Sequence, residues 1–213
     1  MNRRVRLAAT CQATEALGPG IRACAWVQGC PFRCRGCIAP EWIPDRGGFW
    51  AGPEELAARL LADPRVTGLT LSGGEPMMQA AGLAATVRAA RALRDVDVIC
   101  FTGFSLDRLR SDPPAPGVAA FMDALDVLID GQYVRDLNDG VGLRGSSNQV
   151  VHQLTGRLGP GARDEVEVHR PRVAELVITD RTLTLIGIPP SGVLPATRRF
   201  VAAHPDREPR GET

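Results

Sequence analysis

Hydrophobic and polar positions divide the chain into short apolar runs and longer amphipathic stretches. Val5 to Gln12 and Arg22 to Gln28 read as strands, separated by turn residues between Glu15 and Gly20. Cys30 to Pro44 has no period and reads as an irregular loop. Pro53 opens a helix over Glu54 to Ala62, with acids in the first turn and Pro64 beyond its end. Thr67 to Leu71 alternates like a strand and runs into Ser72-Gly73-Gly74-Glu75-Pro76. An Ala-rich helix over Met77 to Leu93 follows, then a continuous apolar strand, Val96 to Phe101. Helices are predicted near Leu106 to Arg110 and over Val118 to Leu125, and a strand over Val127 to Ile129. Apolar strands separated by helices predict an α/β fold with a mostly parallel sheet.

Beyond residue 131 the pattern changes. Gly140 to Ser147 reads as loop and Asn148 to Leu154 as a strand. Arg157 to Asp164 is a turn-rich break. Glu175 to Thr179 and Thr182 to Ile186 predict a hairpin across Asp180-Arg181, and the tail from Pro189 reads as loose. The expected organisation is a core domain over residues 1–155 and an extension, hairpin plus tail, over 156–213. In a parallel sheet the loops after the strands share one edge. That edge would gather Cys30 onward, Gly73-Gly74, Thr102-Gly103 and Asp130-Gly131.

The 213 residues are 44% hydrophobic and 23% charged, the make-up of a globular chain. A net charge of +1 argues against nucleic-acid binding. All 25 basic residues are Arg. The absence of Lys excludes Schiff-base and P-loop chemistry. No apolar stretch approaches the ~20 residues of a membrane span, and no apolar region follows the charged start. The expectation is a cytoplasmic protein with no membrane association.

Six cysteines in such a chain point to metal rather than disulfides. Cys30, Cys34 and Cys37 follow a C-x3-C-x2-C spacing within eight residues. A structural zinc site usually takes four ligands, and ferredoxins use four cysteines at other spacings. Three thiolates on a four-iron cluster leave one iron open, as a catalytic metal site requires. Cys11, Cys24 and Cys100 fall on strands and read as buried, inert thiols. By themselves, Ser72 to Pro76 equally fits a strand-to-helix turn, Thr102-Gly103 a helix entry, and Asp130 a solvated turn. Trp26 and Phe32 flank the cysteine loop and would exclude water. His152, His169 and His204 read as surface or packing residues.

The C-x3-C-x2-C loop together with Gly73 to Pro76 resembles the radical S-adenosylmethionine (SAM) enzymes. The closer resemblance, over residues 20 to 155, is to the small activases of glycyl radical enzymes, above all those of anaerobic ribonucleotide reductase. It is carried by Trp26 to Cys37, Phe101-Thr102-Gly103-Phe104, Asp126 to Tyr133 and Leu143-Arg144-Gly145-Ser146-Ser147-Asn148-Gln149. Two features depart from that pattern. Arg35-Gly36 stands where the family usually has Pro-Gly, and residues from about 160 onward have no clear counterpart in the shortest activases.

The resemblance implies a partial (βα) barrel of the radical SAM type with a C-terminal β-hairpin extension. It implies a [4Fe-4S] cluster on Cys30, Cys34 and Cys37. SAM would be bound by Gly36, Ile38, Ser72, Gly73, Gly74, Glu75, Thr102, Gly103 and Asp130, with Glu75 or its motif holding the amino group. Reductive cleavage would give methionine and a 5′-deoxyadenosyl radical that abstracts hydrogen, from a glycine of a partner protein in the activase reading. No side chain serves as general acid or base. An electron donor such as flavodoxin or ferredoxin is implied, and Arg135, Arg144 and Arg157 are candidates for docking. Two alternatives stay open: a radical SAM enzyme acting on a small molecule or peptide, and a non-catalytic electron-transfer or zinc-binding protein.

Overall fold

The computed structural model describes residues 3–159, 166, 172–178, 183–190 and 192–203. One seven-stranded sheet organises them. Its strands are β1 (Val5–Thr14), β2 (Arg22–Val27), β3 (Phe49–Ala51), β4 (Gly68–Gly73), β5 (Asp97–Phe101), β6 (Val127–Asp130) and β7 (Val150–Gln153). Their order is β3-β1-β2-β4-β5-β6-β7. The β2-β4-β5-β6 ladders are parallel, whereas β1 pairs antiparallel with both β2 and β3, and β7 antiparallel with β6. Five of the seven strands therefore point the same way. The sheet is open, with β3 and β7 at its edges, and no closed barrel forms among the described residues.

The strands alternate in register with the two faces. Leu7, Ala23, Ala25, Val27, Leu69, Leu71, Val98 and Leu128 face a continuous core shared with α1 (Pro53–Leu60), α2 (Ala80–Leu93) and α4 (Val118–Met122). Cys24, Trp26, Ile99, Val127 and Ile129 face the other way, into two smaller clusters. Strands buried on both faces lose the polar half of their alternation, which is why β2 and β6 are buried at every position. The second face is closed by the C-terminal segment. Ile186 packs with Ala16, Leu17, Cys24 and Trp26, and Val166 packs with Ile99, Val127, Ile129 and Leu143.

The predicted hairpin is present as β8 (Ala174–Ile178) and β9 (Leu183–Gly187), paired antiparallel; its turn lies outside the described residues. Glu175 anchors it to the β1–β2 turn, its carboxylate accepting from the Thr14 hydroxyl at 2.7 Å and the Glu15 N–H at 2.8 Å. The expectation of a loose tail is corrected over Val193–Ala203, which forms a helix, α5; the tail from residue 204 lies outside the described residues. Pro195 falls in the first turn, where its missing N–H costs no hydrogen bond, and good helix formers follow. Strand β3 was not foreseen, being three residues long and held by register with Val5 to Leu7. The predicted helix from Met77 begins as a 3-10 turn, Pro76–Gln79, before α2. The short helix α3 spans Leu106–Ser111, capped by Ser105.

Candidate functional site

The C-terminal ends of β2, β4, β5 and β6 lie side by side, so the loops that follow them meet at one edge. The loop after β2 carries the three cysteines. Gln28 sets its course: the side chain is buried, and its amide donates to the Pro44 carbonyl at 2.8 Å and the Glu41 carbonyl at 3.3 Å. Gly29 and Cys30 donate their N–H groups to Trp42 and Ile43. The two limbs of the loop thus enclose a cavity of about 700 Å³, lined by Cys30, Arg33, Cys34, Gly36, Cys37, Pro40, Ile43, Pro44 and Asp45.

That lining holds three sulfur donors and no histidine. Among the described residues, no three Cys, His, Asp or Glu side chains form a group that could hold a single metal ion. The thiols instead share one cavity wall. Three soft donors with room in front of them fit an iron–sulfur cluster having one iron unligated by protein. Burial pushes the Cys30 thiol up to about 11, against the pull of the Phe32 N–H, and raises that of Cys37. Metal binding must therefore expel protons from this loop. Cys24 and Cys100 are fully buried with strongly raised thiol pKa values, as inert core residues should be; Cys11 is half-buried.

The Gly-Gly turn after β4 is pressed against the cysteine loop. Gly74 donates to the Val27 carbonyl at 2.7 Å and Glu75 to the Gly29 carbonyl at 2.9 Å. A Cβ on Gly74 would lie 2.2 Å from the Gly29 oxygen, and Gly73 has φ +106° with the Val27 nitrogen 2.4 Å from its own Cβ position. Only glycine allows this approach. Ser72 sits opposite Trp26 in the β2–β4 register.

Glu75 is placed differently from the expectation of a carboxylate open to a ligand ammonium. It is 1% exposed. One oxygen accepts from the Met77 N–H at 2.9 Å and the Thr102 hydroxyl at 2.7 Å, and the other from the Gly103 N–H at 2.8 Å. The side chain ties the β4 loop to the β5 loop. Burial raises its pKa to about 7, with those three donors pulling the other way. The Phe32 ring lies against Gly103, 2.5 Å from its Cβ position, and meets Phe104 edge-on at 4.7 Å. Thr102 and Gly103 are thereby fixed to both neighbouring loops. Trp26 packs on Trp42 at 5.8 Å beneath the cysteine loop.

Asp130 ends β6 almost fully buried. Its Oδ2 accepts from the Leu106 N–H at 2.6 Å, at the start of α3, and lies 3.0 Å from His152 Nε2. His152, read as a surface or packing residue, is the neighbour of this carboxylate. Ile38 is 45% exposed at the rim beside Cys37.

The segment after β6 completes the edge. Gln132 Oε1 lies 3.9 Å from the Cys34 sulfur, and the Arg135 guanidinium covers Gly36, its Nε 2.8 Å from the Cβ position. The Arg144 to Gln149 loop holds this segment in place. Gln149 donates to the Gly131 carbonyl at 2.6 Å, Asn148 to the Gln132 carbonyl at 2.9 Å, and the Val134 N–H donates to the buried Ser146 hydroxyl. The sequence marked this loop but not its task. Gln28, Phe104 and Gln132 lie within the stretches that carry the family resemblance, but the sequence assigned none of them a role in the site; a polar side chain two residues before the first cysteine was the one available signal for Gln28.

The model of the 4Fe-4S single cluster domain matches residues 16–152, so the chain is a protein of that class. It is 33% identical over 149 residues to the anaerobic ribonucleoside-triphosphate reductase-activating protein of Vibrio cholerae, a match spanning 91% of that protein and 65% of this chain. The protein of the same name from Escherichia coli K12 is 35% identical over 145 residues, 91% of its length and 64% of this chain. That of enterobacteria phage T4 is 29% identical over 145 residues, 87% of its length and 65% of this chain. The chain belongs to the family of anaerobic ribonucleoside-triphosphate reductase-activating proteins. About a third of it lies outside these matches. Among the described residues, no helix is long and apolar enough to cross a membrane.

Proposed function

We propose that the chain is a radical SAM activase that generates a glycyl radical in a partner enzyme of the anaerobic ribonucleotide reductase kind. The observation that carries this reading is the convergence of three thiols with the Gly73-Gly74 turn and the Thr102-Gly103 turn on one sheet edge, locked by Glu75. Cys30, Cys34 and Cys37 would hold a [4Fe-4S] cluster. When bound, that cluster supplies the electron that cleaves SAM to methionine and a hydrogen-abstracting 5′-deoxyadenosyl radical.

The chain's own residues bind, orient and exclude water. Gly73 and Gly74 leave backbone accessible beside the cysteine loop, where the SAM amino group would lie. Glu75 acts behind them, fixing the two turns rather than offering its own oxygens. Gly36, Ile38, Ser72, Thr102, Gly103 and Asp130 complete the proposed SAM environment, with Asp130 acting through the start of α3. Phe32, Phe104, Trp26 and Trp42 keep the inner side of the cysteine loop apolar. The partial barrel is here an open sheet whose second face the C-terminal segment covers, and a cytoplasmic setting suits an oxygen-sensitive cluster.

Electron paramagnetic resonance of the reconstituted, reduced protein with and without SAM tests the reading. The expected result is a cluster signal that shifts when SAM is added and is absent in Cys34→Ala. A signal indifferent to SAM, or zinc without sulfide in the purified protein, sinks it in favour of a closed metal site.

A further inference from the structure

Residues 131–149, between β6 and β7, fold against the cysteine loop. The first limb of this segment brings Gln132 to 3.9 Å from the Cys34 sulfur and lays Arg135 over Gly36. The second limb, residues 143–149, returns to β7. One backbone bond stitches the limbs, from the Ser147 N–H to the Leu137 carbonyl at 2.7 Å. A 3-10 turn, Arg135–Leu137, is the longest regular element of the segment. Its place therefore depends on side-chain contacts.

Part of that hold comes from the C-terminal extension. Leu143 is buried in one cluster with Val166. Arg172, just before β8, reaches both limbs. Its Nη1 donates to the Asn138 side-chain oxygen at 2.7 Å. Its Nη2 donates to the Arg144 carbonyl at 2.8 Å and the Gly145 carbonyl at 3.1 Å. These acceptors are built into the segment. Asn138 donates to the Tyr133 hydroxyl at 3.2 Å. The Gly145 N–H donates to Gln149 Oε1 at 2.7 Å, and the Gln149 amide reaches the Gly131 carbonyl. The Arg144 guanidinium is taken up by Asp139 at 2.6 Å. A rigid planar fork can bridge two limbs at fixed geometry, where an ammonium is a point charge on a flexible stem. Arg172 lies beyond residue 152, where the match to the cluster-domain model ends.

We propose that Arg172 is a positioning residue: it clamps residues 131–149 against the cysteine loop, and SAM binding at the cluster depends on that clamp. The SAM half rests on the functional reading above. Arg172 does not line the cysteine cavity and acts through Gln132 and Arg135. The extension thus supplies to the site a support that the matched region does not contain.

The test compares the full natural chain with Arg172→Gln, Arg172→Lys, Asn138→Ala and a control, Arg65→Gln, which breaks an exposed pair with Asp63. Hydrogen exchange on each chain, purified without oxygen, reads the segment. The SAM concentration that half-shifts the reduced-cluster paramagnetic signal reads binding. In Arg172→Gln, exchange over residues 131–149 should quicken about tenfold or more, as the loss of charge-assisted hydrogen bonds requires. Exchange in α2 and β4 should not change, and iron and sulfide content should stay full. The half-shift concentration should rise about tenfold, the usual effect of removing an outer support of a metal site. Arg172→Lys should fall between Arg172→Gln and the natural chain. Arg172→Gln/Asn138→Ala should cost less than the sum of the two single changes, because they share one contact. Arg65→Gln should change neither readout. Unchanged exchange over residues 131–149 in Arg172→Gln overturns the clamp. Exchange quickened throughout the sheet also overturns it, in favour of a general role in stability. A loosened segment with an unmoved SAM titration overturns the dependence of SAM binding on it. A natural chain whose cluster ignores SAM sinks the functional reading and the SAM half with it, while exchange still decides the clamp.

Discussion

The two ends of the parallel strands use the same residue type in opposite ways. At the N-terminal end Arg22, Gly68 and Asp97 occupy the first rung of β2, β4 and β5. Arg22 is fully buried. Its guanidinium donates to the Thr70 hydroxyl at 2.7 Å, the Leu69 carbonyl at 2.6 Å and the Pro19 carbonyl at 3.1 Å, and pairs with Asp97 at 2.6 Å. Gly68 makes the room, since a Cβ there would lie 2.4 Å from Arg22 Nη1. At the C-terminal end Arg33, Arg35, Arg46 and Arg135 are unpaired within the described residues, and the strands give way to turns held by glycine and a buried glutamate. A guanidinium whose donors are all engaged is structural. The closed end makes the sheet rigid, so that the open end can hold its loops in register.

Substitutions at the two ends should separate these roles. The largest effect belongs to Cys34→Ala. Iron and sulfide content should collapse while the unfolding free energy of the metal-free chain in urea stays within about 0.5 kcal/mol of the natural protein, since the side chain is only partly buried. Equal losses of fold and cluster would show that the open end is not an independent construction. Arg22→Ala should do the reverse. Leaving Asp97, Thr70 and the Leu69 carbonyl without their cation should cost about 3–5 kcal/mol by urea unfolding. The folded fraction should still assemble a full cluster.

Gly74→Ala probes the join between the β2 and β4 loops. Its Cβ would strike the Gly29 carbonyl, at a cost of about 1–3 kcal/mol. SAM affinity by equilibrium dialysis should fall more than cluster content does. The smallest effect is a pH dependence set by Glu75. Its folded pKa, about 7, stands above the ordinary 4.5 because of burial. Between those values the native state binds more protons than the unfolded state, so this group's contribution to stability declines as pH rises from about 4.5 to about 7. Glu75→Gln should flatten that part of the profile. A profile unchanged by the substitution would mean that the three donors hold the carboxylate ionised throughout.

Much of the site was legible because its chemistry is contiguous. Cys30 to Cys37 and Ser72 to Pro76 each lie in one short stretch, and the apolar strands before them placed both on the same edge. The antiparallel edges were harder. Strand β3 is three residues long and exists only by pairing with β1, and β7 runs against β6 in a register that its own sequence does not specify. The helix α5 was hidden by Pro195, which reads as a breaker until its place in the first turn is known. Glu75 was expected to face a ligand, and the structure turns its carboxylate inward instead. A carboxylate in a Gly-Gly turn looks open to a ligand until Thr102 and Gly103, 27 and 28 residues away, are seen to fill it.

By itself the sequence determined the spacing of the three cysteines, the strand–helix alternation and the family, because spacing and periodicity are local properties of a chain. Tertiary structure alone decided which charges are spent and which are free. Arg22 meets Thr70 across 48 residues and Arg91 meets Asp126 across 35, while Arg135 finds no carboxylate at all among the described residues. An ion pair depends on distance in space, and only the folded sheet sets that distance.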